Sequence, residues 1–269
     1  MLRRFCLIVL GSMAALNPLE GQRSRKRVRV EEIASRAAVT APTREESGGR
    51  ARSPSERAES DRARQLAHRA REFRVVISLD DRLLHVLHDK DTLQTSVVAV
   101  ASNVTLRHGG RTWIFRTPLG KRTVIDSKVN PVWIPPDWLY AEAASENNLK
   151  LAWLPRSQPI KLQDGRLLTV QDSAVGVVDQ DGMFQSLPDD EHIVFDATLF
   201  VPPFGTINRR VPGALGEYAL NLGSGYLLHG TPYLESLGRA ATHGCIRLGD
   251  EEIRWLYHNV PKGTPVYIY

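Results

Sequence analysis

The sequence predicts a mostly β domain with one or two helices, and three observations predict it. Short runs rich in β-branched and aromatic residues recur through residues 73–269, separated by turn residues. Only one stretch, close to the C-terminus, combines a helical apolar face with a start and a stop signal. Residues 20–72 hold too few large apolar side chains to share in a core.

The elements follow in order. Residues 73–79 and 83–87 are strands flanking the turn Asp80-Asp81-Arg82, and residues 95–101 continue the β-branched pattern. Thr117-Pro118-Leu119-Gly120 is a turn leading into a strand over 122–125. Residues 217–222, 226–229 and 264–269 are further strands. The helix lies between them: Gly249 or Asp250 caps it, and Glu251 and Glu252 suit its positive end. Ile253, Leu256, Tyr257 and Val260 share one face, and Pro261 and Gly263 end it. Between Tyr140 and Thr206 the pattern weakens to turns at Asp164-Gly165 and Asp181-Gly182, closed by Pro202-Pro203. Residues 141–205 are therefore expected to form an inserted or lid subdomain on a catalytic domain spanning 73–269.

The N-terminal third has a different character. Residues 1–20 carry Arg3 and Arg4, an apolar run too short to span comfortably, and a small-x-small site at Ser12-Met13-Ala14. They predict a signal peptide or short N-terminal anchor, and so an exported protein of the periplasm or cell envelope. Residues 21–72 predict a disordered Arg-rich tether, in which 55–71 can form a solvated helix without a continuous apolar face. Deleting 21–72 is expected to leave the chemistry intact.

Charge location narrows the partners. The 269 residues have a formal net charge of +5. Residues 1–72 hold 16 Lys and Arg against 9 Asp and Glu, whereas residues 73–269 hold 19 against 21. The folded part is slightly acidic and no aromatics interleave the arginines to stack on bases, which excludes nucleic acid. The basic stretch is either a solvated linker or a weak contact to anionic envelope polymers or lipid. The two cysteines, Cys6 and Cys245, exclude a disulfide-rich scaffold.

The densest chemistry lies in Leu227-Leu228-His229-Gly230-Thr231 and Ala241-Thr242-His243-Gly244-Cys245-Ile246-Arg247-Leu248. A free thiol has a pKa of about 8.5 and needs a base or cation to become a nucleophile. Histidine suits that task. His243 is two residues from Cys245, while His229 reaches it only if strand and loop fold together. Gly244 leaves room for a substrate against the backbone, and the amides of Gly244 and Cys245 are oxyanion-hole candidates. Two other readings stay open on these residues alone: Cys245 as a small buried hydrophobe, and His229, His243 and Cys245 as three zinc ligands.

His229, a twelve-residue spacer, then Thr242-His243-Gly244-Cys245-x-Arg247 resembles the signature of the L,D-transpeptidase (YkuD) catalytic domain family. Thr117-Pro118-Leu119-Gly120 is similar to that family's Thr-Pro-x-Gly turn, and Trp133-Ile134-Pro135-Pro136-Asp137-Trp138 to its Trp-x-Pro-Pro segment. Pro212-Gly213-Ala214-Leu215-Gly216 precedes the His229 strand in the same way. The resemblance spans the whole folded part and implies a β-sandwich or barrel. Two positions depart from it: Gly230 stands where some members have Ser, and Arg247 where many have Asn. With no side chain at Gly230, a backbone carbonyl must orient His229.

The resemblance implies a cysteine-dependent peptidoglycan transpeptidase acting on stem tetrapeptides with release of D-alanine, without cofactor or metal. It implies catalytic roles for Cys245, His229, His243 and Gly244, and places Arg247, Thr242 and Gly230 towards the substrate. Arg247 suits a substrate carboxylate or a structural pair with Asp250 or Glu251, and Thr242 suits bracing the loop. The resemblance also implies that a carbapenem would acylate Cys245. An L,D-carboxypeptidase, an enzyme attaching envelope proteins, a zinc hydrolase and a catalytically silent wall-binding module are the alternatives.

Overall fold

A computed structural model describes residues 52–269. The expected signal peptide, the first part of the tether and Cys6 lie outside the described residues. The chain is mostly β, as its sequence pattern predicts. Its principal core lies between two open sheets. One has five strands in the order Asp91–Val97, Leu83–His88, Arg74–Ser78, Pro265–Ile268, Gly120–Thr123. The other has four, in the order Ile246–Arg247, Leu227–His229, Tyr218–Asn221, Asp126–Val129. Val75, Ile77, Leu84 and Val86 from the first sheet meet Leu220, Leu228 and Ile246 from the second in one buried cluster. The helix Asp250–Asn259 closes this cluster with Ile253 and Leu256, both fully buried. The arrangement is a sandwich and does not close into a barrel.

The expected turns hold: Asp80-Asp81-Arg82 joins the first two strands, with Arg82 at a φ of 57°. Asp164-Gly165 and Asp181-Gly182 each connect paired strands within the sheet Ile160–Lys161, Leu167–Gln171, Ala174–Val178, Phe184–Ser186.

Among the described residues, two α-helices lie within residues 73–269, matching the one or two expected there, and a third falls on the stretch 55–71 expected as a solvated helix. We label them α1 (Pro54–Arg69), α2 (Asp137–Glu146) and α3 (Asp250–Asn259). α1 corrects the reading of residues 52–72 as tether. Ser53 and Glu56 form a reciprocal capping box and Pro54 occupies the first turn. The helix docks on the five-stranded sheet through Ser60, Ala63 and Ala67, all buried. Small residues spaced three and four apart let the helix backbone approach the sheet closely, so docking does not require a stripe of large apolar residues. Arg64 lies over the Tyr269 ring at 4.7 Å, and Arg52 pairs with Asp80 at 2.8 Å.

α2 corrects the position of the expected insertion boundary, because residue 141 falls in the middle of it. Leu139, Tyr140, Ala143 and Ala144 are buried against Leu199, Val201 and Val211 in a second core. Asp137 at its start pairs with the buried Arg209 at 2.5 Å and accepts from Trp153 Nε1 at 2.8 Å. Together these contacts pin α2 to the three-stranded sheet Ile193–Phe195, Thr198–Val201, Lys150–Trp153.

Candidate active site

Alternation along paired strands sets the site. Leu227–His229 runs parallel to Ile246–Arg247, with Leu228 opposite Ile246 and His229 opposite Arg247. Leu228 and Ile246 enter the core, so His229 and Arg247 share the other face of the sheet. Cys245 immediately precedes this strand, and the Arg247 charge acts on both Cys245 and His229. Tertiary pairing has thus assembled three residues that sequence left up to 18 positions apart.

His229 is 4% exposed, and its Nδ1 donates to the Gly230 carbonyl at 2.6 Å. That is the backbone orienter required where Gly230 offers no side chain. Burial, reinforced by Arg247, lowers the imidazole pKa to about 4 against the opposing pull of the Gly230 and Leu215 carbonyls. Burial pushes the Cys245 thiol up, with the Leu227 backbone and Arg247 pulling it back. Cys245 is partly exposed and forms no disulfide, and its Sγ donates to the Gly225 carbonyl at 3.8 Å. At neutral pH the two groups therefore rest as thiol and neutral imidazole.

The loop that carries Cys245 is held from within. Thr242 Oγ1 donates to the Cys245 carbonyl at 2.6 Å and accepts from the Gly244 amide at 3.2 Å. Thr242 is 2% exposed and its hydroxyl is committed to the loop, which places it as a brace and away from substrate. Gly244 has a φ of 142°, and a Cβ there would meet the Tyr226 ring at 3.0 Å and the Arg116 carbonyl at 3.2 Å. Only glycine fits that conformation and space. Because the Gly244 amide serves Thr242, it is not free to form the expected oxyanion pair with Cys245.

Gly230 is also withdrawn from substrate. It is buried, and a Cβ on it would approach Asp250 Oδ1 and Gly216 Cα within 3.2 Å. Gly216, at φ 67°, brings the Pro212–Gly216 turn directly against it. The role of Gly230 is to let these backbones meet and to present its carbonyl to His229.

Arg247 is 8% exposed and lies 5.7 Å from the Tyr233 ring centre. No pair with Asp250 or Glu251 occurs among the described residues, and Arg247 Nη1 is buried without a hydrogen-bond partner. A desolvated guanidinium with an unsatisfied donor is costly to the fold and suited to an anionic ligand group.

His243 does not join His229 and Cys245 as a third metal ligand. Its Nε2 faces the Glu142 carboxylate, 3.2 Å from Oε1 and 3.1 Å from Oε2. Among the described residues no group of three His, Cys, Asp or Glu side chains is placed to hold a metal ion. The His243 ring stacks on Trp138 at 4.0 Å and meets the Phe115 edge at 4.4 Å. Trp133 and Trp138 both pack on the second core, so the Trp-x-Pro-Pro segment supports the site from beneath. Glu142, Tyr226 and Phe115 are site neighbours that sequence reasoning missed. Glu142 in particular comes from a stretch whose weak pattern gave no link to the motif.

The family model for the YkuD, L,D-transpeptidase catalytic domain, matches residues 72–268. Among curated proteins, the chain is 44% identical over 52 residues to the probable L,D-transpeptidase YbiS of Escherichia coli, covering 19% of this chain and 17% of that protein. It is 41% identical over 67 residues to the probable L,D-transpeptidase ErfK/SrfK of Salmonella typhimurium, covering 23% and 22%. The matched part therefore spans less than a quarter of the length of these relatives. Among solved structures, the L,D-transpeptidase (residues 123–326) from Xylanimonas cellulosilytica aligns at a TM-score of 0.38 and 15% identity, covering 81% of this chain and 70% of that one. L,D-transpeptidase 3 from Mycobacterium tuberculosis, in complex with a faropenem-derived adduct, aligns at 0.37 and 17% identity, covering 73% and 59%.

Proposed function

The chain belongs to the L,D-transpeptidase (YkuD) catalytic domain family, and we propose on that premise that it is a cysteine-dependent acyltransferase acting on peptidoglycan stem tetrapeptides. The observation that carries this reading is the strand register that sets His229 opposite Arg247, two residues after Cys245, with the Arg247 charge acting on both Cys245 and His229.

With Nδ1 donating to Gly230, a neutral His229 keeps its lone pair on Nε2, the nitrogen that acts as the base in this reading. The Cys245 sulfur attacks the carbonyl joining the third, diamino acid residue of the stem to the terminal D-alanine, and His229 takes the thiol proton. The tetrahedral oxyanion faces the Cys245 amide. On collapse the C–N bond breaks, His229 returns the proton to the departing amine, and D-alanine leaves behind a thioester. The side-chain amine of a second stem then attacks the thioester. It loses a proton to His229, which passes it to the departing sulfur. The product is a cross-link between two third-position residues and a regenerated thiol. Arg247 binds a stem carboxylate with the guanidinium nitrogen that the fold leaves unpaired.

Both resting groups are neutral, so proton transfer accompanies attack and no preformed thiolate is needed. Water in place of the amine would give L,D-carboxypeptidase activity, and an envelope-protein amine would give attachment at the same thioester. In this reading the protein works in the exported cell envelope, where its substrate lies, and the basic N-terminal residues lend weak attraction to anionic polymers or lipid.

Intact-mass spectrometry with a carbapenem tests the proposal. A single adduct is expected on the wild-type protein and none on Cys245→Ala; an adduct that persists in that variant overturns the assignment. Replacing His229 with Ala should slow acylation at neutral pH by about 100-fold or more. A near-normal rate would move the base to His243.

A further inference from the structure

Among the described residues, Glu142 is the polar partner of the motif histidine His243, and it reaches the site from a separate core. Resting on the transferase reading above, we propose that Glu142 is a positioning residue for the reaction. It holds the Nε2 side of His243 and thereby fixes the loop that carries Cys245.

Four features of the page converge on this. First, the contact is local to the chemistry: His243 is two residues from Cys245, and Gly244 between them is held on both sides, its amide by Thr242 Oγ1 and its carbonyl by Thr117 Oγ1. A displacement of His243 therefore acts on Cys245 through a short, hydrogen-bonded stretch of backbone.

Second, both partners are largely withdrawn from water, with side-chain exposures of 15% for His243 and 21% for Glu142. Placing a carboxylate there costs desolvation that an exposed helix position would avoid, and the imidazole N–H offsets it.

Third, the pair fixes the tautomer. A carboxylate accepts only, so Nε2 carries the proton and Nδ1 keeps its lone pair when the ring is neutral. The remaining ring contacts are aromatic: Trp138 beneath and Phe115 at the edge. These fix the plane of the ring and Glu142 fixes its rotation within that plane.

Fourth, the platform is stiff. Glu142 lies in the middle of α2, whose start is pinned by Asp137 to Arg209 and whose flanking residues Tyr140, Ala141, Ala143 and Ala144 are buried. Helix-borne supporting groups hold a site more closely than loop-borne ones. The stretch read from sequence as an insertion thus contributes, through α2, to the support of the nucleophile.

The test uses the protein from residue 52 onward, labelled with ¹⁵N-histidine, and compares wild type, Glu142→Gln and Glu142→Ala. Long-range ¹H–¹⁵N spectra should show His243 protonated at Nε2 in the wild type and in Glu142→Gln, and a mixture of tautomers in Glu142→Ala. Carbapenem acylation followed by mass should stay within about 3-fold of wild type in Glu142→Gln and fall by about 10-fold or more in Glu142→Ala. A His243 ring protonated at Nδ1 in the wild type overturns the proposal. So does a Glu142→Ala protein that acylates at the wild-type rate. Absence of any adduct on the wild type would instead sink the transferase reading, while the tautomer spectra still decide the role of Glu142. Should Glu142→Ala fail to fold, the spectrum and rate of Glu142→Gln carry the decision: loss of the Nε2–H tautomer together with an unchanged rate overturns the proposal.

Discussion

Thr117 Oγ1 donates to the Gly244 carbonyl at 3.0 Å, across 127 residues of sequence, and accepts from the Ala101 amide at 3.1 Å. One buried hydroxyl thus ties the Thr-Pro turn to the residue beside Cys245. Thr117→Val, of similar shape, should leave the Ala101 amide and the Gly244 carbonyl each short of a partner. A loss of about 1–3 kcal/mol is expected, or roughly 3–10 °C in melting temperature at this size. Carbapenem acylation should slow by about 10-fold, and Thr117→Ser should restore both. Equal melting temperatures for the valine and wild-type proteins would contradict the role given to this bond.

The neighbouring residue extends the same connection to α1. Arg116 forms an ion pair with Glu56 in the first turn of that helix, and its carbonyl lies beside Gly244. A chain beginning at residue 73 loses this anchor and, with Ala67 removed, exposes Val76 and Tyr267, which pack against it. Compared with a chain beginning at residue 52, it should be destabilised by about 2–4 kcal/mol, and its acylation should be slower. Thermal melts and acylation rates of the two chains make the comparison. Indistinguishable behaviour would return residues 52–72 to the status of a tether.

The pH dependence follows from the two shifted groups. An imidazole is a base only when neutral, and His229 stays neutral down to about pH 4 because burial and Arg247 disfavour its charged form. The acid limb of the acylation rate should therefore lie near pH 4, well below the value of about 6.5 for an ordinary histidine. Arg247→Met removes the neighbouring charge, so the limb should move up in pH. The thiol loses a cation that favours its ionised form, so the alkaline rise should also move up. The variant should keep its thermal stability, since it also removes a buried donor without a partner. A limb that does not move on this substitution would remove Arg247 from the electrostatics of the site.

The family was legible because it rests on local spacing: His229, Thr242-His243-Gly244-Cys245 and Arg247 carry their pattern in the sequence itself. The strands around them were legible from β-branched runs, and α3 from its cap, its apolar face and its proline stop. The docking of α1 escaped, though its helix did not, because small residues, Ser60, Ala63 and Ala67, make its buried face, and a hydrophobicity pattern is nearly blind to close backbone approach. α2 escaped because it is buried on several sides and shows little amphipathic contrast.

Sequence by itself determined which residue types stand at the site and the mostly β character of the domain, since both are set by short-range pattern. Only the tertiary structure decided how they are arranged. Strand register put His229 opposite Arg247, helix packing brought Glu142 to His243, and burial set the charge states of Cys245 and His229. Register, packing and desolvation depend on distances between segments remote in the chain, and a single sequence does not carry those distances.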